Sequence, residues 1–391
     1  MYPNLYFIIE GIFGVKPPVF FSVVQTFGLF LAFCFIGAGI MLSKDLKERT
    51  ALGQFKAVTS TRKITGSPSI SDLIVNGLIG FILGFKLLFI ILDTGAFVAN
   101  PQDVVLSTKG NIIGGIIGAL LMMASKYWER NQEAKKYSGK DTIKTITQPQ
   151  ELVGDILIIA AISGLIGAKL FAVMEYPDRL IEDPIGQLLS GSGLAIYGGL
   201  VGGFLGVFTF IKRKGLSALH MMDAAGPALL LGMGIGRMGC HFSGDGDWGI
   251  VNANPKPGWL PDWLWSLKYP HNVNSEGLPI EGCAGQFYTD RYCNELAEGV
   301  YPTSVYEIIM LIGLAAIFWY ILRKRVKIPG VLFFLFLIAT AVERYFIEII
   351  RVNDRYDWFF NMTQAQIVSV VLVIIGIIGS VLLTMRKKRT I

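Results

Sequence analysis

Charged residues are scarce in this chain: 16% of its 391 residues are charged, against 52% that are hydrophobic. A soluble chain of this length carries more charge, so the composition excludes an ordinary soluble globular protein. The mean hydropathy of +0.53 points the same way. We therefore predict an all-α polytopic membrane protein.

Cysteine and histidine are also rare, with four and three copies. Cys34 and Cys240 lie in apolar segments, whereas Cys283 and Cys293 share a long polar loop. Cys283 and Cys293 either form a disulfide, as they would in an oxidising compartment, or stay as two free thiols. The first 16 residues lack the basic start and cleavage site of a signal peptide, so we expect them to remain in the mature protein.

Nine apolar runs are candidates to cross a hydrocarbon layer of about 30 Å. They lie at 20–42, 73–92, 111–124, 152–174, 193–211, 221–239, 304–322, 331–350 and 365–383. Lysine and arginine cluster after the first and third runs, which predicts that these loops are cytoplasmic. We therefore expect the N-terminus outside and the C-terminus in the cytoplasm. The net charge of +6 then belongs mostly to cytoplasmic loops, and no nucleic-acid partner is predicted.

Two of the predicted hairpins are repeats of one another. The segments 72–86 and 155–169 each begin with an acid and end with a lysine, and each precedes a glycine-rich run, at 113–118 and 197–202. Both copies run in the same direction, which indicates a duplicated helical hairpin rather than an inverted repeat. The second glycine-rich run begins with Tyr197, so the second copy is the better candidate for chemistry.

The spans and the repeat divide the chain into five predicted segments. The first two are an N-terminal segment with the first span and a cytoplasmic loop (1–71) and an inserted or duplicated hairpin with its cytoplasmic loop (72–150). A transmembrane core (151–241), an extracytoplasmic (periplasmic) loop domain (242–302) and the C-terminal helices (303–391) follow. Four tryptophans of the loop domain predict either an aromatic belt at the membrane interface or a docking surface for another polypeptide. They are Trp248, Trp259, Trp263 and Trp265.

Ionisable residues concentrate at the outer ends of several predicted spans. The charged ones are Arg237, Glu307, Arg344, Glu348 and Arg351. A charge in a helix bundle costs several kcal/mol unless it is paired, so such residues indicate a functional site. Arginine forks suit a phosphate, which favours a phospholipid headgroup as the ligand. Snorkelling arginines and a plain Arg344–Glu348 ion pair on one helix face are the alternatives.

Four motifs, in order, resemble those of the bacterial prolipoprotein diacylglyceryl transferases over most of the chain. GRMG running to WG at 236–249 is similar to the family signature, YGGLVG at 197–202 to its His-Gly-Gly motif, YPTSVYE at 301–307 to a segment ending in Tyr-Glu, and RYFIEIIR at 344–351 to an Arg-x-x-x-Glu-x-x-Arg helix. The resemblance implies transfer of the sn-1,2-diacylglyceryl group from phosphatidylglycerol to the lipobox cysteine of a preprolipoprotein. It also implies the bacterial cytoplasmic (inner) membrane, an active site toward the outer leaflet, and neither cofactor nor metal.

The resemblance further implies roles for particular residues. Arg237 and Arg344 are expected to bind the phosphate and stabilise its charge, with Arg351, Glu348 and Glu307 supporting them. Further catalytic candidates are Tyr197 and Asp245. Further candidates for substrate binding are Gly198, Gly199, Cys240 and His241.

The chain departs from the family pattern around the expected proton acceptor. Tyr197 stands where the family has histidine, Cys240 where it has asparagine and Lys169 where it has arginine. The signature is also one residue longer, with Gly246 and Asp247 in place of a single residue.

These departures leave the base open, because a tyrosine with a pKa near 10 accepts a proton poorly from a thiol with a pKa of about 8.5. A neighbouring cation could lower the pKa of Tyr197, or His241 or Asp245 could act instead. A catalytically altered family member and a phospholipid-binding or transporter-like membrane protein are the alternative functions.

Overall fold

The computed structural model describes residues 1–63, 67–99, 104, 109–136, 142–175, 195–283, 292–357 and 360–390. Its helices are α1 (Leu5–Phe13), α2 (Thr26–Ala51), α3 (Ile70–Leu92), α4 (Thr94–Ala99), α5 (Ile112–Lys136), α6 (Val153–Glu175), α7 (Ile196–Arg213), α8 (Ala218–Ser243), α9 (Asp262–Trp265), α10 (Thr303–Ile317), α11 (Val331–Ile347) and α12 (Gln364–Thr390). A π-helical turn at Phe318–Leu322 extends α10 to Arg325. Antiparallel strand pairs join β1 (Val58–Lys63) to β2 (Thr142–Thr147), β3 (Leu278–Pro279) to β4 (Asn294–Glu295), and β5 (Arg355–Tyr356) to β6 (Met362–Thr363).

Every predicted apolar run overlaps a long helix in the described part of the chain. Six of these helices are long and apolar enough to cross a membrane: Thr26–Ala51, Ile70–Leu92, Pro149–Glu175, Ala218–Ser243, Thr303–Arg325 and Gln364–Arg386. Many of their large apolar side chains are exposed, including Leu78, Ile82 and Ile374, as lipid-facing residues are. The protein is therefore a mostly helical polytopic membrane protein, and the count of nine spans stays a prediction.

The chain packs into two compact units, one of Lys56–Gly215 and one of Met1–Phe55 with Leu216–Ile391. We call them the hairpin unit and the main unit. In the hairpin unit, α3 packs against α5 and α6 packs against α7.

Equivalent glycines make equivalent contacts in the two hairpins. A Cβ atom added to Gly84 would lie 2.1 Å from the backbone oxygen of Gly114, and one added to Gly167 would lie 2.3 Å from that of Gly198. Only residues without side chains allow helix backbones to approach so closely. The repeat in the sequence is therefore a repeat of helix packing.

The β1–β2 ladder extends the repeat beyond the hairpins. Thr61 pairs with Lys144, and the two are separated by the same number of residues as Asp72 and Asp155. This pair joins equivalent positions of the two copies, and the pairs on either side of it exchange equivalent positions, such as Ser60 with Thr145 and Arg62 with Ile143, as a local two-fold axis requires. The repeated element is strand–helix–helix, and the sequence analysis missed its strand because β1 and β2 share no motif.

Substituting Gly167 by alanine is expected to separate α6 from α7 and to lower the stability of the hairpin unit by about 1–3 kcal/mol, the usual cost of overpacking. Gly154 is the matched control, since it lies in the same helix and has no atom within 4 Å of an added Cβ. Thermal unfolding in detergent measures both variants. Equal melting temperatures for the two would contradict the packing role of Gly167.

Helix α8 is the centre of the main unit. It packs against α2, α10 and α11, and α11 packs against α12. The apolar core at these contacts is formed by Leu230, Leu311, Ala315, Phe318, Leu332 and Phe336. Arg237 lies two turns beyond Leu230 on α8, so the apolar core ends where the ionisable residues begin.

Asp223 caps a helix other than its own. Its position at the start of the sixth run predicts an N-terminal cap for that helix, or else a mechanistic role. The structure contradicts the predicted cap, because α8 already begins at Ala218. The Asp223 carboxylate instead accepts hydrogen bonds from the backbone N–H groups of Gly330 (2.7 Å) and Phe333 (2.9 Å), at the start of α11.

Replacing Asp223 by alanine is expected to cost about 1–2 kcal/mol of stability, because it removes an acceptor for the first N–H groups of α11. Asp223→Asn keeps one acceptor oxygen and should cost less. Thermal unfolding of the two variants in one detergent tests this order. An alanine variant as stable as the unmodified protein would contradict the capping role.

Trp248 belongs to the interior of the loop domain. It is 7% exposed and its ring lies 5.2 Å from that of Tyr269, so it contributes to neither predicted surface. Trp259 and Trp263 are exposed, as both an aromatic belt and a docking surface require. The tryptophan prediction was therefore wrong for Trp248 because tertiary packing within the loop covers it.

Backbone contacts fasten the loop domain to the helix ends. Gly249 N–H donates to Tyr301 O and Ile250 N–H donates to Ile350 O, both at 2.9 Å. Cys283 and Cys293 form a disulfide, as one of the two sequence alternatives predicts. The segment after Arg237 is thus held against the start of α10 and the end of α11.

Candidate functional site

Three arginines and three carboxylates meet where α8, α10 and α11 reach the loop domain. This charge cluster consists of Arg237, Asp247, Glu307, Arg344, Glu348 and Arg351. With all six groups ionised, its charges balance. Five of the six were predicted as site residues, and the structure brings those five together.

Glu307 is the centre of the charge cluster. Its Oε2 lies 3.2 Å from Arg237 Nε and 3.6 Å from Arg351 Nη1, and its Oε1 lies 3.2 Å from Arg344 Nη1. The side chain is 2% exposed and stands in the second turn of α10. One buried carboxylate thus orients all three guanidinium groups.

The second buried carboxylate, Glu348, holds Arg344 in place. Arg344 Nη2 lies 2.9 Å from Glu348 Oε2, which is the predicted i,i+4 ion pair. Asn353 donates a hydrogen bond to the other oxygen of Glu348. The spacing of four and seven residues from Arg344 predicts that Glu348 and Arg351 share one helix face with it. That prediction was wrong for Arg351, because α11 ends at Ile347 and Arg351 is extended and bridges to Gly249.

Asp247 is the residue of the cluster that the sequence analysis missed. One of its carboxylate oxygens pairs with Arg237 and the other with Arg351. Its backbone oxygen accepts a hydrogen bond of 2.7 Å from the Thr303 hydroxyl. The available signal was the extra residue in the signature, which places an acid in the loop that follows Arg237.

Glu343 was also missed, although it directly precedes Arg344. It is buried, and its Oε1 has no hydrogen-bond partner among the described residues. It lies within electrostatic range of Glu307 and of the three arginines. The signal was its spacing from Phe336, which places it on the buried face of α11.

Cys240 and Asp245 lie beside the charge cluster. The Cys240 thiol and the carboxylates of Asp245 and Asp247 have atoms within 4.8 Å of one another. Burial raises the pKa of Asp245, and the charge of Asp247 raises it further. Burial also acts to raise the pKa of Asp247, but the positive charges of Arg237 and Arg351 outweigh it and hold that pKa below its usual range.

His241 has its own hydrogen-bond partner at the start of α10. Its Nδ1 lies 3.2 Å from the Ser304 hydroxyl, which also lies 3.2 Å from the Tyr269 hydroxyl. His241 therefore belongs to a polar group next to the charge cluster, and its ring is oriented by hydroxyl groups.

Tyr197, Gly198 and Gly199 belong to the hairpin unit. A Cβ atom added to Gly198 would lie 2.4 Å from Phe171 Cβ and 2.5 Å from Gly167 O. Helix packing therefore accounts for Gly198. The association of these residues, and of Lys169, with the charge cluster stays a prediction.

The charge cluster presents arginine on a partly open face. Arg237 and Arg344 are 25% and 27% exposed, whereas Glu307 and Glu348 are 2% and 1% exposed. The buried carboxylates fix the guanidinium groups before any ligand arrives, and the arginine edges remain accessible. Such an arrangement suits an anion that offers two oxygens to one guanidinium fork, as a phosphate does.

Comparison with known proteins gives the context of this cluster. The family model for prolipoprotein diacylglyceryl transferase matches residues 125–382, which contain α6, α7 and the whole charge cluster. The phosphatidylglycerol--prolipoprotein diacylglyceryl transferase of Lysinibacillus sphaericus is 30% identical over 233 residues, which are 59% of this chain and 76% of the relative. The enzyme of the same name from Clostridium botulinum is 29% identical over 239 residues, 60% of this chain and 82% of the relative.

The family match covers well over half of the chain and begins after most of the first hairpin. A relative of the same name from Dehalococcoides mccartyi is 30% identical over 222 residues, 56% of this chain and 72% of the relative. The motifs, the helical membrane fold and these matches agree. The chain belongs to the prolipoprotein diacylglyceryl transferase family.

Proposed function

We propose that this protein transfers the sn-1,2-diacylglyceryl group from phosphatidylglycerol to the thiol of a preprolipoprotein lipobox cysteine. It is then a transferase that acts in the first step of lipoprotein maturation. The observation that carries the proposal is the preorganised pair of accessible arginines, Arg237 and Arg344, oriented by Glu307 in a chain of this family.

The charge cluster suits this chemistry. A thiolate attacks the glyceryl carbon and displaces the phosphate ester, so negative charge grows on the leaving phosphate. Arg237 and Arg344 stabilise that charge without reorganising, because Glu307 and Glu348 already hold them. Arg351 supports the same geometry through Glu307 and Asp247.

The remaining predicted residues take supporting parts in the proposal. Tyr197 with Gly198 and Gly199 forms part of the lipid site, as the family motif implies. Asp245, Cys240 and His241 lie on the side from which the acceptor peptide approaches. The exposed Trp259 and Trp263 suit contact with the membrane interface or with the peptide.

We further propose nine spans in the bacterial cytoplasmic (inner) membrane, with the N-terminus outside and the C-terminus inside. The basic loops after the first and third runs support this orientation. It places the charge cluster in the outer leaflet, where both membrane lipid and the translocated cysteine are available.

A catalytically altered member that binds phosphatidylglycerol without transferring it is the second candidate. The observation that favours it is the departure at Tyr197 and Cys240 from the family residues. It differs from the first candidate in one outcome, since it predicts lipid binding without a modified cysteine.

Replacement of a host's own transferase by this protein tests the proposal. We expect a reporter lipoprotein to carry a diacylglyceryl group on its lipobox cysteine, measured from the mass of the lipobox peptide. An unmodified peptide, with the protein folded in the membrane and still binding phosphatidylglycerol, would replace the first candidate by the second.

A further inference from the structure

The reaction needs a group that accepts the thiol proton, and the residue at the family's histidine position is Tyr197. We propose that Asp247 is this group: the lipid phosphate displaces its carboxylate from Arg237 and Arg351, and the released carboxylate takes the proton of the incoming cysteine. This inference rests on the proposed transferase function and adds to it the proton acceptor and the event that activates it.

Exposure identifies Asp247 as the carboxylate that a phosphate replaces. Three carboxylates pair with the arginines, and the side chains of Glu307 and Glu348 are 2% and 1% exposed, whereas that of Asp247 is 24% exposed. Glu307 and Glu348 also belong to helical turns, while Asp247 belongs to a loop. A phosphate that reaches Arg237 therefore meets Asp247 first.

The displacement also follows from the balance of charge. The cluster pairs three arginines with three carboxylates, so an additional anion gains little electrostatic energy on binding while Asp247 is paired with Arg237 and Arg351. A phosphodiester offers the same two-oxygen geometry to Arg237 and Arg351 as the Asp247 carboxylate does. Exchange of one for the other keeps the arginines paired.

Hydrogen bonds hold the backbone of Asp247 independently of its carboxylate. The Thr303 hydroxyl binds the Asp247 carbonyl, and the Asp247 N–H donates to Asp245 Oδ1 at 3.3 Å. The neighbouring Trp248 is buried. Rotation about the side-chain bonds of Asp247 therefore suffices to release the carboxylate.

Release makes the carboxylate a better base. The ionisable groups that face Asp247 are Arg237 and Cys240 of α8, Asp245 and Tyr269 of the loop domain, Glu307 of α10 and Arg351 after α11. The two arginines lower the pKa of Asp247, against the effects of burial and of its acidic neighbours. Once phosphate takes over the arginines, burial and Asp245 remain and the pKa rises toward that of a useful proton acceptor.

The transfer step balances around this residue. The S–H bond of the acceptor cysteine breaks and its proton goes to the Asp247 carboxylate. A sulfur electron pair forms the S–C bond, and the C–O bond to phosphate breaks with its electron pair on the phosphate oxygen. After glycerol phosphate leaves, Asp247 returns to Arg237 and Arg351, whose charges favour loss of the proton to water.

The test separates binding from transfer. Purified protein in mixed micelles with phosphatidylglycerol and a lipobox peptide gives kcat, the KM for the lipid, and their pH dependence. Asp247→Asn removes both the base and the competing charge, so we expect kcat to fall by about 10²- to 10⁴-fold, while the KM for the lipid stays equal or decreases. We also expect the limb of the kcat profile at low pH to disappear.

Two further variants complete the test. Asp247→Glu keeps a carboxylate and should recover part of kcat. Asp262→Asn is the matched control, since Asp262 is an exposed residue of the same loop domain that pairs with Lys256, and it should behave as the unmodified protein.

The outcomes are distinct. Transfer by Asp247→Asn at the unmodified rate would overturn the inference and leave the transferase function standing. A rise in the KM for the lipid as large as the fall in kcat would also overturn it, because Asp247 would then be an anchor for the arginines. Absence of transfer by the unmodified protein would overturn the function and this inference together.

Discussion

Replacing Arg237 by alanine is expected to lower diacylglyceryl transfer by about 10²- to 10³-fold, the usual cost of removing one preorganised donor to a developing negative charge. Arg237 Nε lies 3.2 Å from Glu307, and its Nη1 pairs with Asp247. Loss of the guanidinium removes one two-pronged hydrogen-bond donor from the phosphate and one positive charge from beside Glu307. Initial rates with the lipobox peptide measure the effect.

Arg237→Lys refines this prediction, because lysine keeps the charge and loses the planar fork. We expect it to transfer faster than the alanine variant and more slowly than the unmodified protein. Arg355→Ala is the control, since Arg355 is exposed and donates only to backbone oxygens of Asn361 and Ile349 in the described structure. Equal rates for Arg237→Ala and Arg355→Ala would contradict the assignment of the phosphate site.

Replacing Glu307 by glutamine is expected to destabilise the protein by about 3–5 kcal/mol, the usual cost of removing one partner from a buried ion pair. Glu307 is the carboxylate that contacts all three arginines, at 3.2 to 3.6 Å. A neutral amide leaves positive charge uncompensated at the junction of α8, α10 and α11. Transfer should fall as well, because Arg237 and Arg344 lose their common support.

Thermal unfolding in a single detergent measures this loss. Glu298→Gln is the matched control, because Glu298 is an exposed acid of the loop domain and should change stability by no more than about 0.5 kcal/mol. A Glu307→Gln variant as stable as this control would mean that the ion pairs of Glu307 do not stabilise the fold. That result would contradict the proposal that Glu307 holds the arginines in place before the lipid binds.

The sequence predicts the helices of this protein well because membrane spans are long and strongly apolar. The predicted spans also bring Arg237, Glu307, Arg344 and Glu348 to one side of the membrane, since each of these residues lies toward the outer end of its own span. Arg351 joins the cluster although the predicted shared helix face is absent. The sequence carries no local sign that α11 ends before it.

Contacts between distant segments account for what the sequence does not predict. Asp247 reaches the cluster because Thr303 and the buried Trp248 position its loop. Asp223 caps α11, which begins more than a hundred residues later. The β1–β2 ladder joins strands on either side of the first hairpin, and neither strand has an apolar alternation that would mark it.

The most direct measurement is a transfer assay in lipid discs that contain phosphatidylglycerol labelled in its diacylglyceryl group. The account predicts that the lipobox peptide gains the labelled group on its cysteine, that glycerol phosphate is released in equal amount, and that Arg237→Ala abolishes most of both. Discs of phosphatidylethanolamine alone should give no product. Tight binding of phosphatidylglycerol by the folded protein, with no labelled peptide at any pH, would contradict the account.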